Sequence, residues 1–161
     1  MIPFFIKGGN RRMDSVANCL GALPKECTYV HVHDCARPLI RTETISQVAS
    51  SGEKIGALAV CRRVTDTVHQ SLDTNFDSEE PKFTKTLNRH SLFLMETPQS
   101  APRTWLEEGL QVAKERNIEI TDEISLIELL RRKTRIYKLD YPNPKITHFD
   151  DFKLIKHLLD K

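Results

Sequence analysis

The stretch YVHVHDCARP, residues 29 to 38, decides how the rest of the chain is read. Its first five residues are rich in β-branched and aromatic side chains and Pro38 closes the run, so Tyr29 to His33 reads as a strand. Side chains two apart on a strand share a face. His31, His33 and Cys35 therefore point together, and three such ligands on one strand can bind zinc, although no other His/Cys cluster supplies a convincing fourth. A second reading places Asp34 and Arg37 at the carboxyl edge of an open α/β sheet, where the ligands of such sheets bind. An aspartate there orients a ribose or holds magnesium, and an arginine three residues on offers a planar fork to phosphate oxygens. An Asp–Arg pair that only ties down the turn has the same spacing.

Working outward, strand and helix patterns alternate on both sides of this stretch. Ile2 to Ile6 reads as a short buried strand that stops at Gly8-Gly9, and Asp14 to Leu23 as a helix with Val16, Leu20 and Leu23 at helical spacing. Thr42 can cap a helix to about Ser51, and Ile55 to Cys61 follows as a strand. Past Thr97-Pro98, Pro102 suits the first position of a helix to about Arg116. Thr121-Asp122-Glu123 opens another helix that ends in Arg131, Arg132 and Lys133, as the helix dipole favours. Thr134 to Leu139 is a strand, and Thr147 with Asp150 forms a capping box for a last helix striped by Phe152, Ile155 and Leu159. The alternation predicts an α/β fold, a mainly parallel sheet with helices on both faces. Between about residues 65 and 88 the pattern turns polar around DTNFDSEEP, which predicts a protruding β-arm with limbs at Thr67 to Gln70 and Phe83 to Leu87. Such a ribbon is unstable unless something covers it, and a second subunit would.

The 161 residues, 39% of them hydrophobic, suffice for one domain with a real core, residues 1–161. Charges nearly cancel to +2, which argues against nucleic acid as a partner because no broad basic field is available. Four cysteines without CxxC spacing predict free thiols and a reducing compartment. The apolar run in MIPFFIKGGN is too short for a membrane span or signal core, so a cytoplasmic protein with no membrane partner is expected.

Seven motifs then occur in a telling order: GGNRRMDSV (8 to 16), VHDCARP (32 to 38), TDT (65 to 67), NRHSLF (88 to 93), TPQ (97 to 99), TDE (121 to 123) and NPKIT (143 to 147). Together they closely resemble the 2-C-methyl-D-erythritol 4-phosphate cytidylyltransferase family, and ribitol-5-phosphate cytidylyltransferases look similar. The resemblance implies a Rossmann-like nucleotidyltransferase, homodimeric through the β-arm, that joins a sugar-alcohol phosphate to CTP with magnesium and releases pyrophosphate. It implies cytidine binding by Gly8, Gly9 and Ser15, and a nucleotide and magnesium role for Asp34. It implies substrate-phosphate contact for Arg37 and a place near the reacting phosphate for Lys145. Thr67 and Arg89 match residues that reach across the dimer to the acceptor, and Thr97 and Thr121 match hydroxyls near it. Each also has a local reading: a plain turn for the glycines, a first helical turn for Ser15, solvent exposure for Thr67, Arg89 and Lys145, turns or caps for Thr97 and Thr121.

Departures from the family pattern set a further expectation. Family members carry a glycine-rich loop with an arginine and a lysine ahead of these motifs, and residues 1–161 contain no such loop. Losing charge contacts of this kind costs about 10²-fold or more per group, so the chain as written is expected to be an incomplete domain with little or no transferase activity, or a non-catalytic dimerising remnant. Cys35, Met95 and Glu96 also differ from the residues expected beside the motifs.

Overall fold

Helices begin where a carboxylate can accept the free amides of a first turn. In the computed structural model, which describes residues 5–72 and 83–160, helix α1 spans Arg12–Ala22, with the Asp14 carboxylate accepting from the Arg11 amide at 3.1 Å. This is why it starts two residues before the predicted Asp14. Strand β1 is Tyr29–Val32. Helix α2 runs over Thr42–Ile55, beyond the predicted Ser51, until Gly56 breaks it at φ 91°. Thr42 is its first residue rather than its cap. Strand β2 is accordingly Ala57–Arg63, two residues later than predicted.

Strands β3 (His69–Ser71) and β4 (Thr84–Thr86) pair antiparallel as the predicted arm, whose turn-rich centre at residues 73–82 lies outside the described residues. Strand β5, Phe93–Pro102, continues through Thr97-Pro98, where the sequence suggested a turn. The reason is a bulge: Cys61 faces Met95 and Ala59 faces Gln99, so Val60 alone opposes Glu96, Thr97 and Pro98. Proline, which cannot donate to a ladder, is tolerated at such a bulge. Helix α3 follows at Arg103–Glu115 and α4 at Glu123–Leu129. Asp122 caps α4, accepting from the Ser125 amide at 3.0 Å, so Thr121 is not its cap and the basic run at 131–133 lies past its end.

Strand β6 is Thr134–Lys138, and helix α5 is Phe149–Leu159. The α5 box is shifted one residue from the prediction, because Asp151 accepts from His148 at 2.8 Å and Thr147 at 2.9 Å. Of its predicted stripe only Ile155 is buried, while Phe152 and Leu159 remain 49% and 58% exposed. The predicted strand at 2–6 does not extend to Phe5 and Ile6, which are irregular and exposed, and residues 2–4 lie outside the described residues. No described strand pairs with Phe5 or Ile6.

The main sheet has the order β1-β5-β2-β6. β1, β2 and β6 run one way and β5 runs against them. Helices cover both faces as expected. Met13 and Leu20 of α1, Leu106 and Ala113 of α3, and Leu126 and Ile127 of α4 bury Ala57 and Ala101 on one face. Val48 of α2 buries Leu58 and Val60 on the other, with Leu139 and Tyr141. β2, buried on both sides, reads as a near-continuous apolar run because it has no solvent face. This layering carries β1 and the segment after β6 to one rim, where the bulge of β5 also lies.

Candidate active site

At that rim the chain turns sharply after β1. The Arg37 amide donates to the Asp34 carbonyl at 2.9 Å, which folds the arginine back over the aspartate. The Ile146 amide donates to the Ala36 carbonyl at 2.8 Å and brings the segment after β6 alongside. Lys145 then places Nζ 3.0 Å from Asp34 Oδ2, Arg37 Nε stands 3.7 Å from the same oxygen, and Arg12 Nη2 lies 3.7 Å from Oδ1. Three cations thus converge on one carboxylate. Burial works against ionisation of Asp34, but the Lys145 hydrogen bond and the charges of Lys145, Arg12 and Arg37 hold its carboxyl below the usual carboxylate value.

A cleft of about 380 Å³ opens over this cluster, lined by Arg12, Asp34, Arg37, Thr97, Thr121 and Lys145 among others. Thr97, on the bulge, bonds through Oγ1 to His33 Nδ1 at 2.9 Å and accepts from the Asp34 amide at 3.1 Å. Its hydroxyl therefore fixes the turn as well as lining the cleft. Arg37 Nε is buried without a hydrogen-bond partner, an uncommon state for a charged donor. A ligand oxygen would satisfy it.

The remaining predicted residues lie elsewhere. Ser15 Oγ accepts from the Gly9 amide at 2.9 Å, and a β-carbon on Gly9 would stand 2.3 Å from that of Asp14. The glycine pair therefore lies flat on the start of α1 and does not line the cleft. Thr67 and Arg89 are exposed at the base of the arm, with Arg89 donating to the Thr65 carbonyl at 2.7 Å, and neither reaches the cleft of its own chain. The zinc reading of residues 31–35 meets a different arrangement: His31 bonds to Ser100 Oγ at 2.7 Å and His33 to Thr97. Among the described residues no His/Cys/Asp/Glu group is arranged to hold a metal as a cluster. All four cysteines are free.

Several cleft residues escaped the sequence reading. Arg12 is held by two hydrogen bonds to buried Glu123, at 2.6 and 2.8 Å, which raise its pKa further. Gln99 bridges Asp122 and the Ile124 amide, each at 3.0 Å. Glu96 and Asn143 lie beneath Arg37. All sit inside or beside the quoted motifs, but only the bulge and the loop crossing bring them together.

A mixed sheet covered on both faces, with a phosphate-type cation cluster at one rim, defines a Rossmann-like nucleotidyltransferase fold. The family model for IspD, 2-C-methyl-D-erythritol 4-phosphate cytidylyltransferase, matches residues 3–161. The chain belongs to that family. It is 36% identical over 152 residues to the cytidylyltransferase of Prochlorococcus marinus strain MIT 9312, covering 94% of this chain and 65% of that protein. It is 32% identical over 157 residues to the chloroplastic enzyme of Oryza sativa subsp. japonica, covering 98% of this chain and 51% of that protein. The chain thus spans between half and two thirds of these two relatives. Its fold superposes on the Thermus thermophilus enzyme with TM-score 0.83 at 26% identity, covering 96% of this chain and 72% of that one. The Francisella tularensis enzyme gives 0.80 at 26%, covering 93% and 69%. No helix among the described residues is long and apolar enough to cross a membrane.

Proposed function

We propose that this rim binds the phosphate of 2-C-methyl-D-erythritol 4-phosphate and presents it to CTP for cytidylyl transfer. The convergence of Arg12, Arg37 and Lys145 on Asp34 in one cleft carries the reading. An acceptor phosphate oxygen attacks the α-phosphorus of CTP, the new P–O bond forms, and the bond to the bridging oxygen breaks with its electron pair leaving on pyrophosphate. No covalent intermediate with the protein is needed, so the residues act by placement and charge. Arg37 supplies its positive charge, its Nε meeting Asp34 only at 3.7 Å, and Lys145, 43% exposed, can swing from Asp34 to a phosphate.

The donor set suits magnesium. Asp34 Oδ1 has its cation no closer than 3.7 Å, whereas Glu96 is enclosed by Arg62 and Asn143 and Asp122 caps α4. Asp34 would hold the ion through a carboxylate oxygen. Bound there, magnesium supplies charge neutralisation to the triphosphate.

Dimerisation through the arm belongs to the same reading. β3 and β4 have three residues each, less than a stable isolated ribbon needs, and Thr67 and Arg89 are exposed and do not line their own cleft. In a pair of copies they would grip the acceptor held by the other. The four free thiols suit a reducing cytosol.

Calorimetric titration with methylerythritol phosphate and with ribitol 5-phosphate, together with pyrophosphate release from CTP, tests the proposal. Saturable binding of methylerythritol phosphate that Lys145→Ala weakens supports it. Preference for ribitol phosphate reassigns the acceptor. Binding of neither refutes the acceptor site and leaves the reading of a non-catalytic remnant.

A further inference from the structure

A buried carboxylate must be satisfied by donors or it is costly to the fold. Glu96 is 2% exposed and sits on the bulge of β5, in the floor of the cleft that it helps to line. Arg62 pairs with its Oε1, Asn143 Nδ2 donates to its Oε2 at 3.0 Å, and Arg37 Nη1 stands 3.9 Å from Oε1. Asn143 is itself fully buried, and its carbonyl accepts from Arg37 Nη1 at 2.8 Å. Lys145 follows two residues later. One carboxylate therefore anchors two of the three segments that carry cations to the cleft, fixing the Nη1 end of Arg37 while Nε faces Asp34 at 3.7 Å.

We propose that Glu96 is a positioning residue for phosphate binding, acting through Asn143 and Arg37 without touching the ligand. This rests on the acceptor-phosphate reading above. The geometry assigns the effect to hydrogen-bond acceptance at the right length more than to charge. An amide of equal length preserves much of it, because Asn143 Oδ1 is a buried acceptor without a partner, and a turned Asn143 amide can take a bond from glutamine.

Three variants separate positioning from plain structural support. Glu96→Ala removes the acceptor, Glu96→Asp withdraws it by one methylene, and Glu96→Gln retains its reach. Two quantities are read: calorimetric affinity for methylerythritol phosphate, and the hydrogen-exchange rate of the Arg37 Nε–H by NMR. In metal sites, loss of the hydrogen-bonded partner that orients a ligating side chain costs about 10- to 100-fold in affinity, and the lower end of that range is expected for an oriented arginine. Glu96→Ala should raise Kd about ten-fold and accelerate Arg37 exchange, Glu96→Asp should do both more mildly, and Glu96→Gln should stay within about three-fold of wild type. A thermal midpoint lowered in Glu96→Ala, with Kd and Arg37 exchange unchanged, overturns the proposal. Should the alanine variant not fold, the aspartate variant decides by the same two readings. Absence of binding by the wild type would defeat the acceptor assignment, and Arg37 exchange would then decide the positioning role alone.

Discussion

Replacing Glu123 by glutamine should loosen Arg12 and with it the cleft. The carboxylate is 2% exposed in its side chain and makes two hydrogen bonds to the guanidinium, whereas Arg12 is 34% exposed. Glutamine keeps one acceptor but turns an NH₂ on the second guanidinium donor. Hydrogen bonds to charged groups contribute about 1.5–3 kcal/mol each, and removing one partner of a fully buried pair costs about 3–5 kcal/mol. Because a third of Arg12 already meets water, which takes over part of its solvation, the expected loss is nearer 2 kcal/mol. At about 2–4 °C per kcal/mol for a domain of this size, the midpoint should fall by about 4–8 °C. Thermal and urea denaturation measure this, with the urea slope unchanged if only stability has moved. An arginine no longer pinned must also be ordered on binding, at about 0.5–1.5 kcal/mol, or roughly two- to ten-fold in affinity for the acceptor phosphate. The double variant Arg12→Leu with Glu123→Leu should recover most of the stability, since neither charge is left alone, but not the affinity. A Glu123→Gln protein that melts within about 1 °C of wild type and binds equally well would refute the reasoning.

Two further perturbations test the surroundings. Asp34, held below its ordinary 3.8, binds its proton less readily folded than unfolded. Its stabilising contribution is therefore whole above the unfolded value and lost as pH falls through the folded one. The stability gap between wild type and Asp34→Asn should be full near pH 7 and close progressively below about pH 4, whereas a gap of constant size down to about pH 2.5 would contradict it. Gly109→Ala places a β-carbon 2.7 Å from that of Leu126 and 3.0 Å from its carbonyl oxygen, where α3 crosses α4. Overpacking of about 1–3 kcal/mol should outweigh the helix-propensity gain of about 1 kcal/mol, so urea denaturation should show a net loss.

The sequence and the structure agree most closely where local chemistry is self-contained. The β1 strand, its turn and the Asp34–Arg37 pair are written in ten consecutive residues, and the rim they form is where the sheet places them. Helix boundaries were less legible because caps act at a distance of three residues. Asp122 and Asp151 satisfy amides that a reading of the first hydroxyl assigns to Thr121 and Thr147, and Asp14, read as the first residue of its helix, accepts from the Arg11 amide three residues back. The α5 stripe misled for another reason: periodicity reports which side chains share a face, and only packing decides whether that face is covered.

What stayed hidden follows from β5. A strand that runs against its neighbours brings its interior to the rim where β1 finishes, with Gln99 facing Val32, and the bulge opposite Val60 turns Glu96 and Thr97 toward the cleft. Neither a pairing direction nor a bulge leaves a spacing signal in one chain, so Glu96 read only as an odd neighbour of a threonine-proline motif. The same holds for Arg12 and Glu123, which are 111 positions apart and meet only because α1 and the start of α4 lie on one face of the sheet. Arg37 and Lys145 were thus readable as residue types together with Asp34, while Arg12 and the buried acids Glu96 and Glu123 were not. Electrostatics gives the other carboxylates their place: three cations close together repel, and Asp34 and Glu123 offset that repulsion so that Lys145, Arg37 and Arg12 can be held in one cleft before any phosphate arrives.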